Sequence, residues 1–133
     1  MNDRYMFRGK RLDNGKWTQG QLLVTINNSY RIVNASKNND FDGYEIDPAT
    51  LGQCTGLKDK NGKLIFEGDI VNRLKPDMLA GGHVVIWANQ KWMLSRISKL
   101  NPAIHSDINV RNKFLEIIGN IHDNPSLLES TTA

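Results

Sequence analysis

Residues 7–24 read FRGKRLDNGKWTQGQLLV, a segment in which short alternating stretches flank the dipeptide Asn14-Gly15. Asn-Gly is the strongest short-range signal for a two-residue hairpin loop, because a type I′ turn needs positive φ at both central residues. The segment therefore predicts a β-hairpin near the start of the chain.

The predicted loop also fixes the two faces of this ribbon. It places Leu12 opposite Trp17 on one face and Phe7 opposite Leu22 on the other. Both faces then carry apolar side chains, and one compact domain can cover only one of them. A soluble monomer rarely exposes such a patch, so we expect a homo-oligomer whose assembly surface, within residues 5–24, contains these four side chains.

Further short elements follow the ribbon. Residues 30–33 predict a third strand, residues 34–43 an exposed polar loop and residues 44–47 a short strand. Asp47-Pro48 is typical of an N-cap followed by proline at the first position of a helical turn.

The C-terminal half shows a second strand-rich pattern. Residues 59–62 predict a tight turn, and residues 64–71, LIFEGDIV, predict a strand, a turn and a strand, as in small SH3-like barrels. Residues 75–82 and 100–113 are interpreted as loops, residues 114–121 as a strand and residues 126–129 as one helical turn.

Two tryptophans flank a third hairpin signal. A two-residue loop at Asn89-Gln90 would place Trp87 directly opposite Trp92. The fold class predicted from these patterns is mainly β: an N-terminal β-hairpin region, then a small SH3-like or OB-like barrel, with short helical turns.

Length and composition limit the domain count and the compartment. The 133 residues fit a single domain, 1–133, within which we expect lobes at 1–60 and 61–125. The only cysteine, Cys54, cannot form an internal disulfide. No apolar run approaches the ~18 residues needed to cross a bilayer, so we expect no membrane partner and a cytoplasmic location.

No pattern of reactive residues indicates catalysis, a cofactor or a metal. The string Asn38-x-Asp40-x-Asp42-Gly43 begins like a calcium loop, but its twelfth position is Ala49 rather than a glutamate. The three histidines lie far apart in sequence, without metal-ligand spacing. We predict that the chain is not an enzyme.

Nucleic acid is the alternative partner. The net charge is +3, and although Lys and Arg are spread along the chain rather than clustered, five of them are a candidate surface: Lys58, Lys60, Lys63, Arg73 and Lys75. Aromatic residues beside basic ones, as in Lys16-Trp17 and Lys91-Trp92, could stack bases, although a small β core also needs such rings.

Several longer strings are distinctive: FRGK (7–10), NGKW (14–17), GQL (20–22), IDPATLGQCTGLKDKNGK (46–63), IFEGDIV (65–71) and IGNIHDNP (118–125). They resemble the YopX family, small proteins encoded mostly by phages and prophages. Cys54 stands where the family usually has tyrosine, and residues 74–112 show no such match.

The resemblance implies a mainly β fold, a phage or prophage origin, the bacterial cytoplasm and a homo-oligomer, but no activity and no catalytic residues. Two hypotheses follow. The first is an accessory protein that self-assembles and contacts an unidentified host or phage protein. The second is a nucleic-acid-binding module with an SH3-like or OB-like fold.

Overall fold

The computed structural model describes residues 5–34, 40–73, 81–88, 90–96, 105–107 and 115–129. The strands are β1 (Phe7–Lys10), β2 (Trp17–Val24), β3 (Tyr30–Asn34), β4 (Asp40–Glu45), β5 (Gly52–Lys58), β6 (Leu64–Phe66), β7 (Asp69–Arg73), β8 (Gly81–Ala88), β9 (Lys91–Arg96), β10 (His105–Asp107) and β11 (Leu115–Asn120). They form two antiparallel sheets, which confirms the mainly β prediction, and the described strands close no barrel.

The chain divides into two compact units, Met1–Cys54 and Thr55–Ala133. The boundary lies within β5, which pairs with β1 in the first unit and continues into the second. None of the helices in the described segments is both long and apolar enough to span a membrane.

In the N-terminal unit, the strands β4, β3, β2, β1 and β5 are neighbours in that order. The two ends of the four-strand meander meet, because Arg11 forms an antiparallel bridge with Ile46. In addition, the Leu12 amide donates to the Glu45 carbonyl at 3.0 Å. The meander is therefore curled, with a concave interior that must be filled.

The pairing of β1 with β2 differs from the prediction by two residues. Phe7 pairs with Gly20, two residues earlier in β2 than predicted. Trp17 pairs with Lys10 instead of Leu12, which lies in the connecting turn. A shift of two leaves each side chain on its predicted face, because side chains alternate with a period of two.

The cause of the shift is a longer loop. Gly15 has φ of 72°, but Asn14 is not in the left-handed region, so the type I′ turn does not form. The Gly15 amide instead donates to the Arg11 carbonyl at 2.9 Å. The Arg11 amide donates to the Lys16 carbonyl, also at 2.9 Å. Asn14 uses its side chain, which accepts from the Lys16 amide at 2.9 Å.

Glycines let the curled sheet close over its core. Ile32 and Ile46 are fully buried in the N-terminal unit. A Cβ added to Gly9 would overlap the terminal methyl of Ile46, and one added to Gly20 would overlap the Val33 carbonyl oxygen. The absence of a side chain at these two positions is thus a packing requirement.

The segment around Asp47 is folded as predicted. Asp47 caps a 3₁₀ helix over Pro48–Thr50, and its carboxylate accepts from the Ala49 amide at 3.0 Å. Two neighbouring interpretations were wrong or incomplete. Asp40–Glu45 is a strand, although residues 34–43 read as a loop, and β5 was not assigned because Gly56 reads as a turn residue.

The C-terminal unit contains a sheet of order β10, β9, β8, β7 and β11. One face packs on a fully buried cluster with one residue each from β6, β7, β8, β9 and β11: Ile65, Val71, Val85, Leu94 and Leu115. The predicted strand–turn–strand is confirmed, since Gly68 has φ of 89° and the buried Asp69 carboxylate accepts from the Phe66 amide at 2.8 Å.

The tryptophan hairpin is also confirmed. Trp87 pairs directly with Trp92, and the rings meet edge to face with centroids 5.0 Å apart. Gln90 has φ of 64° in the connecting turn. Trp92 packs against the core cluster, while Trp87 is 56% exposed.

The remaining C-terminal predictions were mixed. Strand β11 and a 3₁₀ helix over Pro125–Glu129 lie where a strand and a helical turn were predicted. Strand β8 begins at Gly81, inside a predicted loop, and His105–Asp107 forms a strand in the segment 100–113. The polar character of these segments concealed two strands that pair with their neighbours in sequence, β8 with β7 and β10 with β9.

Candidate interaction surface

The turn between β2 and β3 carries the most exposed aliphatic group of the N-terminal unit. Leu23 is 44% exposed, Val24 45% and Ile26 96%. Leu23 and Val24 are successive residues of one strand, so they lie on opposite faces. We call these three residues the hairpin tip.

Local hydrogen bonds hold the hairpin tip in place. The Thr25 amide donates to the Ser29 carbonyl at 3.0 Å, and the Thr25 hydroxyl accepts from the Ser29 amide at 3.1 Å. Asn28 takes the left-handed position, with φ of 62°. Ile26 is thus presented to solvent by an ordered turn.

Charge is absent from this part of the sequence. Residues 17–30 contain no Asp, Glu, Lys or Arg, in a chain of net charge +3. The three residues of the hairpin tip are therefore apolar within an uncharged segment, and Arg31, the strand partner of Leu23, is the nearest cation across the strands. An exposed apolar group of this kind favours contact with another apolar surface.

The four residues predicted for assembly do not form one surface. Phe7 and Leu22 are half-buried and lie on the same side of the sheet as the buried Ile32, the cross-strand partner of Leu22. Leu12 is exposed in the β1–β2 turn, and Trp17 lies on the opposite side. Leu23 and Val24 of the hairpin tip lie within the segment 5–24 predicted for assembly, whereas Ile26, which is 96% exposed, lies just beyond it.

The side of the β1–β2 ribbon that bears Trp17 is basic. The guanidinium carbon of Arg8 lies 4.8 Å from the centroid of the Trp17 ring, and Lys10 Nζ lies 5.5 Å from it. Both distances are within the range of cation–π attraction. The positive charges of Arg8 and Lys10, which both lie on β1, are therefore held close together beside the indole ring of Trp17 on β2.

The cations predicted to bind nucleic acid lie in the C-terminal unit. Lys58, Lys60 and Lys63 are exposed at the turn after β5. Arg73 ends β7, and Lys75 lies outside the described residues.

Asp59 fixes the position of this lysine turn. Its Oδ1 accepts from the amides of Asn61 and Lys63 at 2.9 and 3.0 Å, and its Oδ2 accepts from the Ile117 amide at 3.1 Å. The Lys60 amide also donates to the Leu115 carbonyl at 2.9 Å. The turn therefore satisfies backbone groups of β11, an edge strand.

The ionisation of Asp59 reflects two opposing effects. Burial of the carboxyl raises its pKa, whereas hydrogen bonds from the amides of Ile117, Lys63 and Asn61 lower it. The combined effect of the hydrogen bonds exceeds that of burial, so the pKa of Asp59 lies below its ordinary value. The residue is thus a structural anion at neutral pH.

Metal-binding side chains do not converge in the described part of the chain. Its His, Cys, Asp and Glu side chains form no group of three that could hold a metal ion. Cys54 and His83 are buried, and Asp69 serves the β6–β7 turn. Asn38, which opens the calcium-like string, lies outside the described residues.

The fold and these surfaces define a small antiparallel β protein with two sheets. A family model described as "YopX protein" matches residues 6–129, and the chain belongs to the YopX family. A comparison with curated proteins gives no match.

A solved structure shares this fold. The crystal structure of protein EF1440 from Enterococcus faecalis has a TM-score of 0.55 and 24% sequence identity to this chain. The alignment covers 92% of this chain and 96% of that one.

Proposed function

We propose that this chain is a non-enzymatic accessory protein of phage or prophage origin, which forms a homodimer through the hairpin tip and acts by protein contacts in the bacterial cytoplasm. The observation that carries the proposal is the exposure of Leu23 and Val24 at the end of β2 and of Ile26 in the ordered turn that follows. Family membership supports the phage context.

A second copy of this chain fits the hairpin tip for two reasons. In a two-fold arrangement Ile26, at the end of the hairpin, meets Ile26 of the second copy, so both are covered without a second complementary surface. Ile26 also lies within the uncharged segment 17–30, so contact between two chains of net charge +3 at this turn brings few like charges together.

We expect Ile26→Lys to dissociate the dimer, because the substitution places a solvated cation at the centre of the contact in both copies. Losing two buried isoleucine side chains costs about 3 kcal/mol, which corresponds to roughly a hundredfold rise in the dimer dissociation constant. Size-exclusion chromatography with light scattering measures the mass, and circular dichroism verifies the fold.

Ile118→Lys is the matched control. Ile118 is an exposed isoleucine at the irregular position of β11, in the other unit. This variant should keep the wild-type mass. An Ile26→Lys protein that is folded and has the wild-type mass would contradict the proposal.

A further inference from the structure

We propose that the basic side of the N-terminal sheet binds single-stranded nucleic acid, independently of assembly at the hairpin tip. Strand pairing places three cations, two glutamines and a tryptophan on one side of the sheet, which we call the basic face: Arg8, Lys10, Trp17, Gln19, Gln21 and Arg31. This is a different location from the lysine turn at residues 58–63.

The basic face is formed by directly paired residues. Lys10 pairs with Trp17, and Arg8 pairs with Gln19, so cations and neutral hydrogen-bonding groups alternate across two strands. Gln19 and Gln21 are exposed. The face lies opposite the fully buried Ile32 and Ile46, and it also includes the buried Val33, the strand partner of Gln21.

Two cations are arranged in advance for an anionic ligand. The ring of Trp17 lies within 4.8 Å of the Arg8 guanidinium carbon and within 5.5 Å of Lys10 Nζ. Restricting two long side chains before binding lowers the conformational entropy lost when they contact phosphates.

A third cation extends the face onto β3. Arg31 lies across from Leu23, and its guanidinium donates to the Gly43 carbonyl at 3.2 Å. Glu45, across from Arg31, is the one acidic residue among the strand partners of this face, so the face retains an excess of positive charge.

The chemistry of the face favours a nucleic acid over an acidic protein segment. Proteins that bind single strands combine cations along the backbone with aromatic rings beside the bases. Exposed glutamines add donors and acceptors that match base edges. An acidic peptide would pair with the cations, but it would not need both the Trp17 ring and the side-chain amides of Gln19 and Gln21.

The test measures binding of fluorescently labelled oligothymidylate and oligoadenylate by anisotropy at several salt concentrations. We expect binding at low salt that weakens as salt rises. Arg8→Gln combined with Lys10→Gln should lower the affinity about tenfold or more and reduce the salt slope by roughly 1.4, which corresponds to two phosphate contacts on a single strand.

Two further variants keep the result clear. Lys60→Gln combined with Lys63→Gln removes the same charge from the lysine turn and should change the affinity far less. Gln19→Glu combined with Gln21→Glu alters only exposed side chains, so it should fold, and its two new negative charges should abolish binding.

Three outcomes would overturn the proposal: no binding by the wild-type protein at low salt, loss of binding in the lysine-turn variant but not in the Arg8 and Lys10 variant, or equal competition by polyglutamate at matched charge. The Ile26→Lys variant should still bind the oligonucleotides. Failure of the dimer proposal would therefore be detected by the molar mass from light scattering, separately from the binding measurement.

Discussion

Asp59→Asn is expected to lower the free energy of unfolding by about 2–4 kcal/mol, because three backbone amides lose a charged acceptor. The Ile117 amide is affected most, since an asparagine Nδ2 at the position of Oδ2 cannot accept its hydrogen bond. Such a loss is a large fraction of the stability of a small domain. Chemical denaturation monitored by tryptophan fluorescence measures it.

The pH dependence of the same variant tests the ionisation of Asp59. Its pKa is depressed in the folded protein, so its contribution to stability is present above the unfolded value of about 3.9 and is lost as the pH falls through the folded pKa. The difference between wild type and Asp59→Asn should therefore be constant near neutral pH and shrink below about pH 4.

Asp13→Asn provides the matched control, as the same change at an exposed carboxylate. Asp13 forms a solvent-exposed ion pair with Arg11 at 2.6 Å, and such pairs contribute little because solvent screens them. Its unfolding midpoint should remain near that of the wild type. Equal losses in both variants would contradict the structural role assigned to Asp59.

Gly20→Ala is expected to destabilise the N-terminal unit by about 2–3 kcal/mol. The added Cβ would overlap the Val33 carbonyl oxygen and lie 3.2 Å from Ile32 Cγ2. The obstacle is backbone of the neighbouring strand, so it cannot move aside as the end of a flexible side chain can. The same denaturation experiment measures the loss.

Gly15→Ala separates this steric effect from glycine's conformational freedom. Gly15 has φ of 72°, but nothing lies within 4 Å of an added Cβ. Only left-handed strain of about 1 kcal/mol is expected there. A Gly20→Ala protein as stable as wild type would show that the meander is not closed as tightly as described.

The two hairpin predictions show how far sequence patterns determine strand pairing. The loop at residues 89–90 gave the correct register, because apolar runs on both sides pair over their full length. At Asn14-Gly15 the same reasoning was wrong by two residues. There the bridge between Arg11 and Ile46, which are distant in sequence, holds the ends of the loop in the longer form.

The candidate surfaces were less predictable than the strands. The hydrogen bond from the Ile117 amide to Asp59 joins residues 58 apart in sequence, and the ring contacts of Trp17 depend on the actual β1–β2 register. Alternation correctly placed Trp17 on the face opposite Phe7. Alternation could not show that Arg8 and Lys10 both lie against the Trp17 ring, nor that Ile26 is almost fully exposed.

The molar mass of the wild-type protein over a wide concentration range tests self-assembly through the hairpin tip most directly. Sedimentation equilibrium should give twice the 15.0 kDa of a single chain at high concentration, falling toward that value on dilution. A mass of 15.0 kDa at every accessible concentration would contradict the proposal.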